Sequence, residues 1–475
     1  MELYISEFSK YVITLLIALY TCECFLVFRF REESRRSGIY ARQNILMFAV
    51  HFSCFVVVCF ETGDAAYLFF YAFQQIILYA AIVLFRMLYP RGNRLVINNS
   101  CMLLCISFVI LTRLSYERAL RQFIIAAGSL AIGLFIPYFV HKFRFLKNLT
   151  WIYALVGIAA LSVVLILGQT TYGSKLSYSI AGLTFQPSEF VKIVFVFFVA
   201  GALCRSSGFF EVFTTAVVAA IHVVVLVCSK DLGSALIFFI VYVLMVFVAS
   251  GNLFYLFAGA AGGSAAAFIA FRVFAHVQVR VQAWQDPWSV IDSAGYQITQ
   301  SLFAISSGGW FGLGLYKGTP GSIPFVEADF IFSAIAEELG IVFAVCLILI
   351  SLSTFIMVMN LSLKLNDKFY QLTAFGLGVT YIFQVFLTIG GGTRFIPLTG
   401  VTLPLVSYGG SSVLATLIMF SIIEGMSVIR EDEAAEERKK LRRAKRRKVK
   451  KPLQEPEENE MTTDSQGEDG EDYEE

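Results

Sequence analysis

Asp329 and Glu327 stand at the mouth of an apolar run that begins at Phe330, and Glu337 and Glu338 follow two turns inside it. A charge held at mid-bilayer costs at least about 2.5–3.5 kcal/mol, so such carboxylates are paired or face a cavity. Read alone, Asp329 is a helix N-cap. Three further groups weigh against so plain a reading. Gln186, Pro187, Ser188 and Glu189 are followed by Lys192, so a proline opens a helix whose Glu189 and Lys192 share one face. Lys230, Asp231, Leu232 and Gly233 form an acidic helix start, by itself an ordinary cap. Gly390, Gly391, Gly392, Thr393 and Arg394, with Pro397, Pro404 and Ser407 beyond them, make irregular backbone between two apolar runs. At membrane depth such backbone survives only when buried in protein or lining a wet cavity.

The 272–328 stretch adds Arg280, Trp284, Trp288, Tyr296, Gln297, Gln300 and a glycine-rich run at 308–314. Loops of this length are usually functional. Its glycines let backbone approach a ligand and its rings suit sugar faces, while an interfacial aromatic belt accounts for the tryptophans as well. These residues predict an outward-facing polar cavity holding Glu189, Lys192, Asp231, Asp329 and Arg394, with Gln300 and Ser407 as further substrate contacts. A transporter and an enzyme both use such a cavity.

The elements that must position these groups are membrane spans. The chain is 57% hydrophobic and 15% charged, with a mean hydropathy of +0.71, and is read as an all-α integral membrane protein. Thirteen candidate segments appear, at 11–28, 44–60, 65–85, 97–112, 122–140, 149–168, 189–204, 211–228, 232–249, 253–271, 329–356, 369–390 and 404–427. The first is followed rather than preceded by its basic cluster, so it is expected to stay as an anchor. Arginines and lysines in the loops at 29–44, 86–94, 141–147 and 361–368 belong in the cytoplasm. That puts the N-terminus outside, the C-terminus inside and the 272–328 loop outside. The loop at 113–121 dissents, because Arg113, Arg118 and Arg121 should face outward.

All nine cysteines (Cys22, Cys24, Cys54, Cys59, Cys101, Cys105, Cys204, Cys228 and Cys346) lie in apolar segments and read as small buried hydrophobes. No Cys/His grouping has metal-site spacing. Eleven of the fourteen residues at 438–451 are basic, and eleven of the twenty-four at 452–475 are acidic. Such runs repel themselves, so residues 428–475 are expected to form a disordered cytoplasmic tail. Its basic part suits anionic headgroups, and nucleic acid is the weaker reading.

Five stretches, FQPSEFVKI (185–193), KDLGSAL (230–236), YQITQSLFAISSGGWFGLGL (296–315), ADFIFSAIAEELG (328–340) and PLTGVTLPLVSYGGSS (397–412), resemble the signature blocks of the SEDS family, the FtsW/RodA/SpoVE-type proteins of bacterial cell-wall synthesis. The resemblance runs from about residue 97 to 427. It implies a ten-helix core at 96–427 carrying the large extracellular loop 272–328, with 1–95 as an extension of about three extra transmembrane helices. It also implies a multi-pass protein of the bacterial cytoplasmic membrane. The departures are Tyr178, Ser179 and Ile180 where a Trp-Ile pair is usual, Lys230 in place of a common proline, and Thr388 in place of an asparagine.

The resemblance further implies a peptidoglycan glycosyltransferase that polymerises lipid II into β-1,4 glycan strands beside a class B penicillin-binding protein. In that reading the catalytic carboxylate falls on Asp329, and Glu189, Lys192 and Asp231 are cavity residues. Arg394, Lys192 or a divalent cation, magnesium or manganese, is expected to steady the departing pyrophosphate. A lipid II flippase and a noncatalytic scaffold are the alternatives. Glu23 and His51 are intramembrane polar groups to which the sequence gives no partner.

Overall fold

A computed structural model of the chain describes residues 2–30, 32–171, 174–180 and 183–450. The helices in order are α1 (Glu2–Arg29), α2 (Glu33–Thr62), α3 (Ala65–Leu88), α4 (Arg94–Leu114), α5 (Tyr116–Gly133), α6 (Ile136–Lys142), α7 (Thr150–Leu167), α8 (Pro187–Leu203), α9 (Phe209–Cys228), α10 (Leu232–Ser250), α11 (Leu253–Val273), α12 (Ala275–Gln285), α13 (Tyr296–Gly308), α14 (Ile331–Ser362), α15 (Lys368–Gly392) and α16 (Gly410–Lys450). Among the described residues twelve helices are long and apolar enough to cross a membrane, α5 and α6 counting as one across the break near Pro137. The apolar α8, at 17 residues, is slightly shorter. With it, ten such segments follow Arg94 and three precede it.

Local chemistry sets these boundaries. Asp64, Asn93, Ser115, Asp231, Asn252 and Asp367 each accept a backbone N–H as N-caps. Gly63 and Gly251 close α2 and α10 in left-handed backbone, at φ 62° and 67°. The helix α4 is buried along nearly its whole length against α2, α3, α5 and α14, whereas α11 buries no residue.

Three features differ from the sequence expectation. The 272–328 stretch is built rather than open, since α12 and α13 occupy much of it. A small antiparallel ribbon, β1 (Gln169–Thr171), β2 (Ser174–Ile180) and β3 (Leu183–Phe185), lies between α7 and α8. The last helix continues through most of the basic run to Lys450. There Glu436 and Lys440 stand at i,i+4 and Glu437 and Lys440 at i,i+3, spacings that support a helix. The acidic stretch 451–475 lies outside the described residues.

The described residues up to Glu431 pack as one compact unit, and those at 432–450 belong to a second. Within the first, α1 lies along α2 and α14. Asn99 of α4 joins them: its Oδ1 accepts from the Tyr20 hydroxyl at 3.0 Å and the Cys24 thiol at 3.3 Å. Its Nδ2 donates to the Ser353 and Thr354 hydroxyls, each at 2.9 Å. The polar groups of the extension also find partners. Glu23 takes two bonds from Arg42, at 2.7 and 2.9 Å, and His51 sits between Gln74 and Gln75 at 2.9 and 3.0 Å.

Each arginine of the dissenting 113–121 loop is neutralised. Arg113 pairs with Glu338 at 2.9 Å, Arg121 with Glu117 at 2.6 Å, and Arg118 with Glu327.

Candidate functional site

A cavity of about 520 Å³ opens among α10, α12, α13 and the segments at 325–329 and 396–400. Asp329 and Asp231 both line it, together with Lys230, Arg280, Trp284 and Gln297. Asp231 is held from below: its Oδ2 accepts from the Ser188 hydroxyl at 3.0 Å and its Oδ1 from the Ser234 N–H at 3.1 Å. It is at once the cap of α10 and a wall of the cavity.

Asp329 differs. It is half-buried, and among the described residues no hydrogen bond to its carboxylate is found. Burial pushes its pKa up to about 6, and the opposite charge of Arg280 works against that rise. Arg280 feels the reverse: burial lowers it, while Asp329 and then Asp231 hold it up. Its Nη1 donates to the carbonyls of Leu398 and Thr399 at 3.4 and 3.3 Å, which tethers α12 to the following loop. His276, one turn earlier, is kept below its usual pKa by burial and by the charges of Arg280 and Lys230. The cavity thus sets a carboxylate with no hydrogen-bond donor among the described residues beside Arg280, with Lys230 on the same lining.

The backbone that carries Asp329 is pinned. The Ser407 hydroxyl donates to Ala328 O at 2.5 Å and accepts from the Leu403 N–H at 2.9 Å. The Tyr408 N–H donates to Glu327 O at 2.7 Å, and Gln122 donates to Ser407 O at 2.9 Å. Beyond it, Ser301, Ser333 and the Gly392 carbonyl form a buried link between α13, α14 and α15, at 2.6 and 2.7 Å.

The other sequence-derived residues lie around this cavity rather than on it. Glu189 and Lys192 pair at 2.9 Å, fully enclosed, and Lys192 also donates to Gln384 Oε1 at 2.6 Å. Gln384 in turn donates to Thr402 O at 3.0 Å, so the pair supports the 397–412 loop. Arg394 donates to the carbonyls of Trp284 and Gln285 at 2.9 and 2.8 Å, and its own carbonyl accepts from the Trp284 indole at 3.2 Å. It holds the C-terminal end of α12, where a cation suits the exposed carbonyls. Gln300, on α13, is not among the lining residues, whereas Gln297 is.

The glycine run at 308–314 approaches backbone rather than ligand. The helix α14 is broken at Gly340 (φ 88°), and the run fills the break. The N–H groups of Leu313 and Gly314 donate to the Glu337 and Glu338 carbonyls at 2.9 Å each. Ile341 and Val342 donate back to Gly309 and Trp310 at 3.0 and 3.2 Å. A Cβ on Gly312 would collide with the Glu338 carbonyl. The two carboxylates are answered in the same place, Glu338 by Arg113 and Glu337 by the Thr319 N–H at 2.9 Å. Five non-glycine residues adopt positive φ, namely Lys230, Tyr316, Phe325, Arg394 and Leu405. Two of them line the cavity, where such conformations commonly concentrate.

Arg280 and Lys230 line the cavity although the sequence named them only as members of polar stretches, and His276 and Gln384, which lie beside the lining, were not named at all. Arg280 stood in the long loop as one polar residue among several, and no local spacing ties it to Asp329, forty-nine positions on.

Comparison with known proteins follows the same boundaries. Residues 93–432 match the profile of the FtsW/RodA/SpoVE cell cycle proteins. The peptidoglycan glycosyltransferase RodA of Mycobacterium tuberculosis is 34% identical over 308 residues, 61% of this chain and 66% of that protein. The matched part is thus just under two thirds of that relative's length. The probable peptidoglycan glycosyltransferase FtsW of Bacillus subtilis is 31% identical over 333 residues, covering 64% of this chain and 79% of that protein. A chain of a peptidoglycan synthase complex that coordinates polymerization and crosslinking superposes with a TM-score of 0.61 at 24% identity, over 72% of this chain and 98% of the other. The rod shape determining protein RodA of Thermus thermophilus gives 0.52 at 23%, over 72% and 97%. These two likenesses establish a shared fold.

Proposed function

From a chain that belongs to the FtsW/RodA/SpoVE family, we propose a peptidoglycan glycosyltransferase that polymerises lipid II on the outer face of the bacterial cytoplasmic membrane. The observation that carries the reading is Asp329: a carboxylate with no hydrogen-bond donor among the described residues, raised to about 6, on the wall of a cavity that also presents Arg280 and Lys230. The acceptor sugar's C4 hydroxyl oxygen attacks the anomeric carbon of the donor. Its proton passes to Asp329, the new C1–O4 bond forms, and the C1–O bond to the lipid pyrophosphate breaks with inversion. Arg280 and Lys230 meet the charge that develops on the pyrophosphate. A general base performs best with a pKa near the working pH, and burial moves Asp329 in that direction.

Among the described residues no cluster of three or more His, Cys, Asp or Glu is placed to hold a metal ion. Asp231 already accepts from Ser188 and Ser234, which leaves Asp329 as the one free carboxylate among the described residues of the lining. No step is assigned to a divalent cation. In this reading Asp231, Lys230 and Gln297 contact substrate, while Glu189, Lys192, Arg394 and Ser407 hold the walls. The N-terminus lies outside and a class B penicillin-binding protein crosslinks the product. The test is polymerisation of labelled lipid II by the purified chain with such a partner. Asp329→Asn should abolish product while substrate still binds; near wild-type polymerisation by that variant would reject the assignment. A flippase would tolerate the loss of this proton acceptor.

A further inference from the structure

Residues 325–329 form a wall with a carboxylate toward each of two cavities. Asp329 lines the larger one, and Glu327 lines a second cavity of about 280 Å³ with Leu114, Ser115, Arg118 and Gly321. Phe325 belongs to both linings and adopts φ 58°. On the second side Glu327 pairs with Arg118, whose guanidinium lies 6.0 Å over the Tyr408 ring. The side chain of Arg118 is 46% exposed and that of Glu327 18%, so the pair is open at its outer edge. The Tyr408 N–H holds the Glu327 carbonyl, which fixes the pair to the same loop that pins Asp329. A guanidinium fork and a carboxylate side by side offer both donors and acceptors to vicinal hydroxyls, and Phe325 and Pro324 offer apolar faces.

We propose that this second cavity binds a saccharide unit of the growing glycan, one or more sugars away from the bond being made. The inference rests on the glycosyltransferase reading and names a second subsite for it. Chain growth needs the strand held while the next unit reacts. The larger cavity, at about 520 Å³, lies within the roughly 300–1,000 Å³ that one small ligand fills, so the rest of a strand needs another place to rest. Binding a remote sugar is also how contacts away from the reacting atoms can be used to hold and orient substrate. The wall makes the arrangement economical in geometry, since one loop, 403–409, fixes the backbone behind both carboxylates.

The test is to block the second cavity and measure strand length. Gly321 is exposed, has no positive φ, and a Cβ there meets no atom within 4 Å, so the backbone accepts a side chain and Gly321→Trp adds bulk at the lining. Full-length protein in liposomes together with a class B penicillin-binding protein, with fluorescent lipid II as substrate, is compared with Gly321→Trp and Gly321→Ala. The expected result is a median strand at least about threefold shorter for Gly321→Trp, with initial lipid II consumption within about twofold of wild type and Gly321→Ala unchanged. The double variant Arg118→Gln, Glu327→Gln keeps neutral hydrogen-bonding groups and should shorten strands in the same sense, which guards against misfolding of the first. Wild-type strand lengths in both variants would overturn the subsite while leaving the glycosyltransferase reading standing. A wild-type protein that makes no polymer would overturn that reading, and the subsite with it.

Discussion

Replacing Arg280 with methionine separates the two things it is expected to do. Asp329 sits at about 6 with Arg280 opposing the rise due to burial, and Asp231, Lys230 and His276 are the other titratable groups on that side. A base works ionised. With a midpoint near 6, about nine-tenths of the enzyme is active at pH 7 and about one-tenth at pH 5, so kcat/KM should fall roughly tenfold across that interval. An opposite charge nearby lowers a carboxyl by about 1–3 units, so its removal should carry the acid limb upward by about one unit or more. The alkaline plateau should fall as well, because the departing pyrophosphate loses a cation. The limb reports the proton and the plateau reports the leaving group. The stability sign is opposite to that of a salt-bridged carboxylate. The folded pKa exceeds the ordinary value of 3.8, so ionisation opposes folding: stability falls as pH rises from about 4 through 6. About two units correspond to at most about 3 kcal/mol, less after solvent screening of a half-buried group. Initial rates of lipid II polymerisation between pH 5 and 8.5 test this. A wild-type profile without a limb near 6, or a limb that Arg280→Met leaves in place, would refute the reasoning.

Three further outcomes are expected. Glu189→Gln and Lys192→Met should each destabilise by about 3–5 kcal/mol by stranding the other's charge, and the double replacement should be milder; additive thermal shifts in a double-mutant cycle would reject the coupling. Gly340→Ala forces a side chain into φ 88° against Gly312 and should lower the unfolding temperature by the equivalent of at least about 1–3 kcal/mol, read by thermal denaturation in detergent. Asn99→Leu leaves the Tyr20, Ser353 and Thr354 hydroxyls without their shared partner and should cost about 1–3 kcal/mol by the same measurement.

The parts of this site that were legible in the sequence are those marked by cost. A carboxylate at a helix mouth in a chain this apolar demands a reason, and Asp329 and Asp231 both proved to line the cavity. The helical segments were legible because an apolar run of about 20 residues matches the thickness of a bilayer core. What could not be read was tertiary. Arg280 reaches the cavity because α12 folds back over residues 398–399, a contact that no local spacing encodes. The run at 308–314 shows the same limit in reverse: glycine signals close backbone approach, and the partner turned out to be the broken turn of α14. Arg394 carries a charge suited to pyrophosphate, yet its guanidinium is spent on the Trp284 and Gln285 carbonyls. Charge type was visible in the chain; the direction in which each charge points was set by packing.

The break at Gly340 bears on how the extension relates to the site. Asp329 precedes α14, and a helix interrupted ten residues into its length cannot by itself transmit a fixed position from one end to the other. Its two halves must be anchored separately. The upper half is held by Arg113 on Glu338, the Thr319 N–H on Glu337 and the Leu313 and Gly314 N–H groups on the Glu337 and Glu338 carbonyls, while Ile341 and Val342, just past the break, donate back to Gly309 and Trp310. The lower half is held by Asn99, which α1 completes through Tyr20 and Cys24. Two contacts also join the extension to the upper layer directly: the Tyr11 ring lies tilted against Phe311, centroids 5.2 Å apart, and Glu61 pairs with Lys317 at 2.8 Å. The extension therefore grips α14 below the break and the glycine run beside it, and touches no residue of the cavity lining in these contacts. Its removal should loosen the frame before it alters the base. A chain beginning at Arg94 should thus lose thermal stability first, and in whatever fraction stays folded the acid limb set by Asp329 and Arg280 should remain near 6.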